Sequence, residues 1–160
     1  MDEELIISLY EKYRVGIYRF ALSILGDSQL AEDVMQDTFL KAWKRTDILY
    51  CNSEVQSWLY HVAKNACYDI LRKRKREQPD TIFQETAFSN KPDEVESELT
   101  FLEMISGLGE KDKMIVSLRI IGELPHKEIA KIMGMTVHST KKRYERAIHK
   151  LRIQYEREEK

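Results

Sequence analysis

KEIAKIMGMTVHSTKKRYERAIHKLR, from Lys127 to Arg152, reads as a short helix, a glycine turn and a longer helix carrying six basic residues. Ile129, Ala130 and Met133 fall at spacings that make one buried face of the first helix. Gly134 can take the positive φ that closes it, and Thr136 offers a side-chain oxygen to cap the second helix. From Val137 onward Tyr144, Ala147, Ile148 and Leu151 form an apolar stripe, while Lys141, Lys142, Arg143, Arg146, Lys150 and Arg152 present cations. The pattern is that of a helix-turn-helix. In such a unit the second helix enters the major groove of DNA with its N-terminal residues, here His138, Ser139, Lys141 and Lys142, and later cations hold phosphates. Taken alone, the segment could also be a solvated amphipathic helix closing a bundle.

Working backwards, Val95, Leu99, Leu102 and Ile105 mark a helix that Pro92 opens and Gly107 and Gly109 break. A second is predicted over Lys113 to Ile121 through Met114, Ile115, Leu118 and Ile121, ended by Gly122. The C-terminal part, residues 93–160, is thus a four-helix unit. No segment shows strand alternation bounded by hairpin turns, so the whole chain is expected to be all-α.

The formal net charge of -1 averages three unlike segments. Residues 1–76 carry 12 Lys/Arg against 11 Asp/Glu, residues 77–100 carry 1 against 7, and residues 101–160 carry 13 against 9. An acidic stretch with Pro79 and Pro92 between two apolar-periodic halves predicts two small helical domains joined by a flexible acidic linker over 78–92. From Arg76 to Val95, the first apolar position of the next helix, roughly twenty residues at about 3.3 Å each reach at most ~66 Å, enough to bridge DNA sites about two helical turns apart.

In the N-terminal part, residues 1–77, Ile6, Leu9, Tyr13, Ile17, Phe20 and Ile24 step by three or four and predict a helix from Glu3 to Leu25 that ends at Gly26. Gly16 weakens its middle by about 1 kcal/mol relative to alanine. Asp27 or Ser28 can cap a second helix running to about Arg45, with Leu30, Val34, Thr38 and Ala42 inward and Phe39 and Trp43 alongside. Its other side carries Asp33, Gln36, Asp37 and Leu40 on one acidic face with an apolar edge. Ser53 and Gln56 have the capping-box spacing for a third helix, with Val55, Leu59, Val62, Ala66 and Ile70 predicted inward. Trp58, His61 and Asn65 share another face of it and suit stacking and hydrogen bonding to bases. The helix runs into Arg72, Lys73, Arg74, Lys75 and Arg76, five consecutive cations where dipole capping accounts for one or two. A polyanion partner accounts for the rest.

Cys51 and Cys67 have no companion at metal-ligand spacing, so neither a disulfide framework nor a zinc site is expected, and no metal or other cofactor is implied. Asp2, Glu3 and Glu4 are opposite to the cationic start of a secretory signal, and no apolar run approaches a membrane span. The expected setting is the reducing cytoplasm, without direct membrane insertion.

Three blocks, AEDVMQDTFLKAW (Ala31 to Trp43), SWLYHVAKNACYDILRKRKR (Ser57 to Arg76) and the helix-turn-helix with its LPHKEIAKIMGM lead-in (Leu124 to Met135), occur in the order found in one family. The chain resembles the extracytoplasmic-function (ECF) sigma factors, compact bacterial subunits that direct RNA polymerase core enzyme to promoters. The resemblance implies that Asp33, Gln36, Asp37 and Phe39 dock on the clamp helices of the largest polymerase subunits. It implies that Trp58, His61 and Asn65 capture the -10 element as a melted single strand, with Asn65 lining a pocket for an extruded base and Arg72, Lys73, Arg74 and Arg76 holding the backbone. It assigns reading of the -35 duplex to Ser139, Lys141, Lys142, Arg143 and Arg146, to which the helix-turn-helix pattern adds His138. An anti-sigma factor that covers the polymerase-binding halves is a partner the family leaves open. Three positions depart from the family pattern: Pro125 replaces the usual capping serine, Ser139-Thr140 the usual threonine-valine pair, and Lys142 a small polar residue. The promoter sequence read therefore does not carry over.

Two other readings compete. A nuclease using Asp33 and Asp37 as metal ligands lacks a third carboxylate or histidine beside them and a phosphate-cradling glycine loop. A repressor or activator using only the C-terminal helices leaves the acidic face and the Trp58 to Arg76 helix without a task.

Overall fold

The computed structural model describes residues 2–45, 47, 54–77 and 95–158. The chain divides into two compact units, Met1–Asn90 and Lys91–Lys160. The boundary falls within the expected linker, 78–92, which lies outside the described residues, as do Ser53 of the expected capping box and Pro92. No strand occurs among the described residues.

The first unit is built on α1 (Asp2–Leu25), α2 (Ser28–Trp43) and α3 (Val55–Glu77). Ile6, Ile17, Phe20 and Ile24 of α1 are buried as the periodicity predicts, and Gly26 ends the helix with φ 67°. Asp27 is the residue that caps α2: its carboxylate accepts from the N–H groups of Gln29 at 2.9 Å and Leu30 at 3.1 Å. Val34, Thr38, Phe39 and Ala42 are buried, and the Thr38 hydroxyl donates to the Val34 carbonyl at 2.8 Å, so this polar group can sit in the core. The helix stops at Trp43 rather than near Arg45, and Trp43 is 50% exposed instead of lying along the core.

α3 turns a different stripe inward than its aliphatic spacing predicts. Val55, Leu59, Tyr60, Ala63, Cys67 and Leu71 are buried, while Val62, Ala66 and Ile70 are only half-buried. The cause is Tyr60, whose ring lies edge-on to Phe20 at 5.8 Å and whose hydroxyl occupies the place where any side chain on Gly16 would begin. Burying a tyrosine ring removes more apolar surface than burying a second valine, so the helix turns by about one residue to seat it. Gly16 is thus the gap that sets the register of α3, and not merely a weak point in α1.

The second unit comprises α4 (Val95–Ile105), α5 (Glu110–Ile120), α6 (His126–Met133) and α7 (Val137–Glu158). Ile105, Leu108, Val116, Ala147 and Leu151 form one buried cluster, with Phe101, Tyr144 and Ile148 packed against it. α5 begins three residues before the expected Lys113, where Gly109 precedes it and Glu110 and Asp112 face the positive end of the helix dipole. Its ending also differs from the sequence expectation. The left-handed residue is Glu123, at φ 54°, rather than Gly122, and the Leu124 N–H returns to the Leu118 carbonyl at 3.3 Å.

Candidate nucleic-acid interfaces and docking groove

The hinge of the helix-turn-helix obeys local chemistry closely. Gly134 takes φ 66° and ψ 37°, and the Met135 N–H closes back on the Ala130 carbonyl at 2.9 Å, a Schellman ending. The Thr136 hydroxyl oxygen accepts from the Ser139 N–H at 3.1 Å, starting α7. Within α6 the buried residues are Ile129, Ala130 and Ile132, while Met133, expected inward, is half-buried. Pro125 precedes α6 without a side-chain cap. His126 opens it with a buried Nδ1 that has no hydrogen-bond partner and a ring lying edge-on to Tyr144 at 5.2 Å. Partial burial, then the charges of Arg119 and Lys141, hold His126 below its ordinary pKa, against a smaller opposing pull from Glu145.

On α7, His138, Ser139, Lys141, Lys142 and Arg146 are exposed, and Thr140 is buried with its hydroxyl donating to the Thr136 carbonyl at 2.8 Å. Arg143 differs from the other predicted contacts. It is half-buried on the flank, where its guanidinium pairs with Asp112 of α5 at 2.8 Å, so it ties α7 to its own domain. Lys150 likewise donates to the Gly107 carbonyl at 3.2 Å. Lys141, Lys142, Arg146 and Arg152 are exposed along α7, Arg146 with only a long 3.5 Å contact to the Lys142 carbonyl one turn back.

α3 brings Trp58, His61 and Asn65 onto one outward face, as their spacing predicts, with His61 and Asn65 exposed. Trp58 is half-buried beneath the Arg45 guanidinium, 5.9 Å from its ring, and Arg45 is itself held in a two-pronged pair with Asp47 at 3.0 Å. Two residues of this face were not singled out from sequence, Lys64 and Tyr68. Each stands three residues beyond one that was, His61 and Asn65, so helical spacing alone could have found them. The basic run is partly engaged: Arg72 pairs with Asp69 at 2.7 Å and Lys73 reaches Glu77 at 4.0 Å. Arg74 donates to the Leu25 carbonyl at the end of α1, at 3.2 Å. Cys67 is fully buried, which pushes its thiol far above the ordinary range and leaves it an inert packing residue.

The outward side of α2 presents Asp33 and Gln36 exposed, with Asp37 half-buried in an i,i+4 pair with Lys41 at 3.2 Å. Phe39 does not share that surface. It is 6% exposed and edge-on to Tyr10 at 5.1 Å, turned toward α1. It instead floors an open apolar groove of about 370 Å³, bounded by Ile6, Ile7 and Tyr10 of α1 and by Gln36, Leu40 and Trp43 of α2. Leu40 is 63% exposed beside the carboxylates, so acidic and apolar surface meet there. Among the described residues no group of three His, Cys, Asp or Glu is placed to hold a metal, and no helix is long and apolar enough to cross a membrane.

Two helical units of this construction match two known domains in order. Sigma-70 region 2 matches residues 9–77 and sigma-70 region 4 matches residues 98–151, which defines a sigma-type transcription initiation factor. The ECF RNA polymerase sigma factor SigM of Bacillus subtilis is 32% identical over 158 residues, covering 95% of this chain and 96% of SigM. SigW of the same organism is 28% identical, over 96% of this chain and 90% of SigW. The sigma factor RpoE of Bartonella quintana, solved in complex with the anti-sigma factor NepR, superposes with a TM-score of 0.79 at 25% identity, covering 93% of this chain and 95% of RpoE. The chain belongs to the ECF RNA polymerase sigma factors and directs promoter-specific transcription with RNA polymerase.

Proposed function

We propose that the two units grip a promoter at separate places while the first also holds core polymerase. In this reading residues 1–77 dock on the core enzyme and capture the -10 element as melted single strand, and residues 93–160 read the -35 element as duplex, with the acidic residues 78–92 joining them. The observation that carries it is the division of chemistry between units. α3 presents planar and amide groups suited to unpaired bases, and α7 presents cations and hydroxyls suited to a groove and its phosphates. Trp58, His61 and Asn65 take the strand, and Arg72, Lys73 and Arg76 its backbone. Arg74 and Arg143 act first within their own units, through Leu25 and Asp112. The duplex contacts fall to His138, Ser139, Lys141, Lys142 and Arg146.

Core polymerase docks on the acidic and apolar surface formed by Asp33, Gln36, Asp37 and Leu40, with Phe39 shaping the groove from beneath. An anti-sigma factor, membrane-bound or soluble, that covered this groove would compete with the polymerase for it. The solved complex of the Bartonella relative with NepR supports a partner of that kind. The site of action is the cytoplasm, where bacterial polymerase works.

Run-off transcription with core polymerase, with and without the chain, tests the reading: stimulation at specific promoters is expected, and none across a genomic promoter library overturns it. Pull-down of Asp33→Lys, Asp37→Lys protein against core enzyme is expected to lose binding while duplex contacts survive. If Lys141, Lys142, Arg146 and Arg152 touch phosphates, the log-log salt slope of duplex binding is about -3.6.

A further inference from the structure

The polar groups on the outward face of α3 are linked to one another. The Lys64 Nζ donates to the Asn65 side-chain oxygen at 3.3 Å and lies 4.8 Å from the centroid of the Tyr68 ring. An ammonium has donors and no acceptor, so the oxygen end of the Asn65 amide must be the end that faces it. The two N–H donors of the amide then turn away from Lys64. Tyr68, half-buried one turn further along, offers its negative ring face and keeps the ammonium from swinging into solvent.

We propose that Lys64, seated on the Tyr68 ring, is a positioning residue that locks the Asn65 amide with its N–H donors outward, so that the pocket selects an extruded base by its acceptors. The inference rests on the reading of α3 as the strand-capture face. An untethered amide can turn over and offer either a donor or an acceptor; the tethered one offers donors. With its oxygen engaged by Lys64, the amide gives up the bidentate pair with adenine, in which it accepts from the exocyclic amine while donating to a ring nitrogen, whereas a pyrimidine carbonyl oxygen needs only the donors. The surroundings agree with a cluster partly withdrawn from water. Lys64 is held below its ordinary pKa by burial and then by Arg72, and His61 is held below its own by burial and then by Lys64. His61 is therefore a neutral imidazole at pH 7, able to donate at one nitrogen and accept at the other.

The test uses the full chain with core polymerase and a promoter library whose melted bubble is randomised, with bound templates sequenced. The unmodified protein is expected to rank pyrimidines above adenine at one bubble position. Lys64→Met and Tyr68→Leu are each expected to reduce that ranking about five- to tenfold at that position alone, and Tyr68→Phe, which keeps the ring, to preserve it. A uniform loss across all templates with Lys64→Met, accompanied by a shallower salt dependence, would make Lys64 a phosphate contact and overturn the inference. Asn65→Ala separates the two levels of the reading. If it leaves every position unchanged, the capture face itself is wrong; if it flattens one position while Lys64→Met does not, only the role of Lys64 falls. Thermal unfolding checks that each variant folds, and should Tyr68→Leu fail to, Lys64→Met decides alone.

Discussion

α3 and α7 are nearly equal in length, 23 and 22 residues, and both carry clustered cations, yet their outward faces have opposite plans. α3 leads with Trp58, His61, Asn65 and Tyr68 and gathers its charge in the last turns, whereas α7 leads with His138, Ser139, Lys141 and Lys142 and turns Tyr144 toward its own core. A melted strand exposes ring faces and base edges that aromatic and amide groups can meet, while a duplex hides its rings and offers phosphates and groove edges. In the proposed reading one scaffold, the solvent face of a long helix, is specialised by where its charge falls. The two units accordingly have different things to preserve: a helix register in the first, a set of exposed cations in the second.

The largest expected effect comes from attacking that register. Gly16→Ala places a methyl group where the Tyr60 hydroxyl lies, so either the ring leaves or α1 and α3 move apart. Overpacking of this kind costs about 1–3 kcal/mol, and each kcal/mol lowers the melting temperature of so small a domain by about 4–8 °C. Both tryptophans of the chain, Trp43 and Trp58, lie in the first unit, so their fluorescence tracks that unit's unfolding directly. Duplex binding should be unaffected; equal loss of both activities would break the separation between the units.

Next in size is the removal of charge from α7. Lys141→Ala, Lys142→Ala protein should show a duplex-binding salt slope shallower by about 1.8, with capture of a pre-melted strand unchanged. Titrations at several salt concentrations on duplex and bubble templates measure both. A smaller effect, of opposite sign, is expected at Glu123, which holds φ 54° without being glycine. Glu123→Gly relieves a left-handed conformation that costs an ordinary residue about 1–2 kcal/mol, and denaturant unfolding should show the second unit gaining up to that amount.

The smallest is a pH effect. The folded pKa of His126 is lowered, so unfolding takes up a proton below the ordinary histidine range. The stability that neutral His126 contributes is complete above a pH of about 6.5 and is lost as pH falls toward the lowered value. Thermal scans between pH 7.5 and 5.5 should show the second unit weakening on acidification, and His126→Phe should flatten that part of the curve. His61 adds a dependence of the same sign in the first unit.

Features set by neighbours along the chain were legible in the sequence. Gly134 and Thr136 act within a few residues of themselves, and their roles in the turn came from backbone sterics and capping alone. The first two family blocks likewise each lie within a single helix, and the third spans one short turn between two helices. What escaped depends on partners from other helices. The stripe of α3 could not be placed without knowing that Gly16 leaves room for Tyr60. Arg143 looked like its basic neighbours until Asp112 of α5 appeared beside it. Phe39 sat next to exposed residues in the sequence, but Tyr10 of α1 draws it inward. The end of α5 misled for a subtler reason: Gly122 is available for the left-handed position, and the packing of Leu124 places that position one residue later.

The basic end of α3 has a consequence for how the chain behaves in a crowded cell. A bare string of cations would cling to any stray RNA or chromosomal segment, yet Asp69, Glu77 and the Leu25 carbonyl already occupy Arg72, Lys73 and Arg74. A passing polymer must displace these internal partners before it gains the full attraction. Exposed pairs of this kind are each worth at most about 1 kcal/mol, so in the proposed reading they temper indiscriminate adhesion and still yield to a promoter strand that polymerase holds beside them.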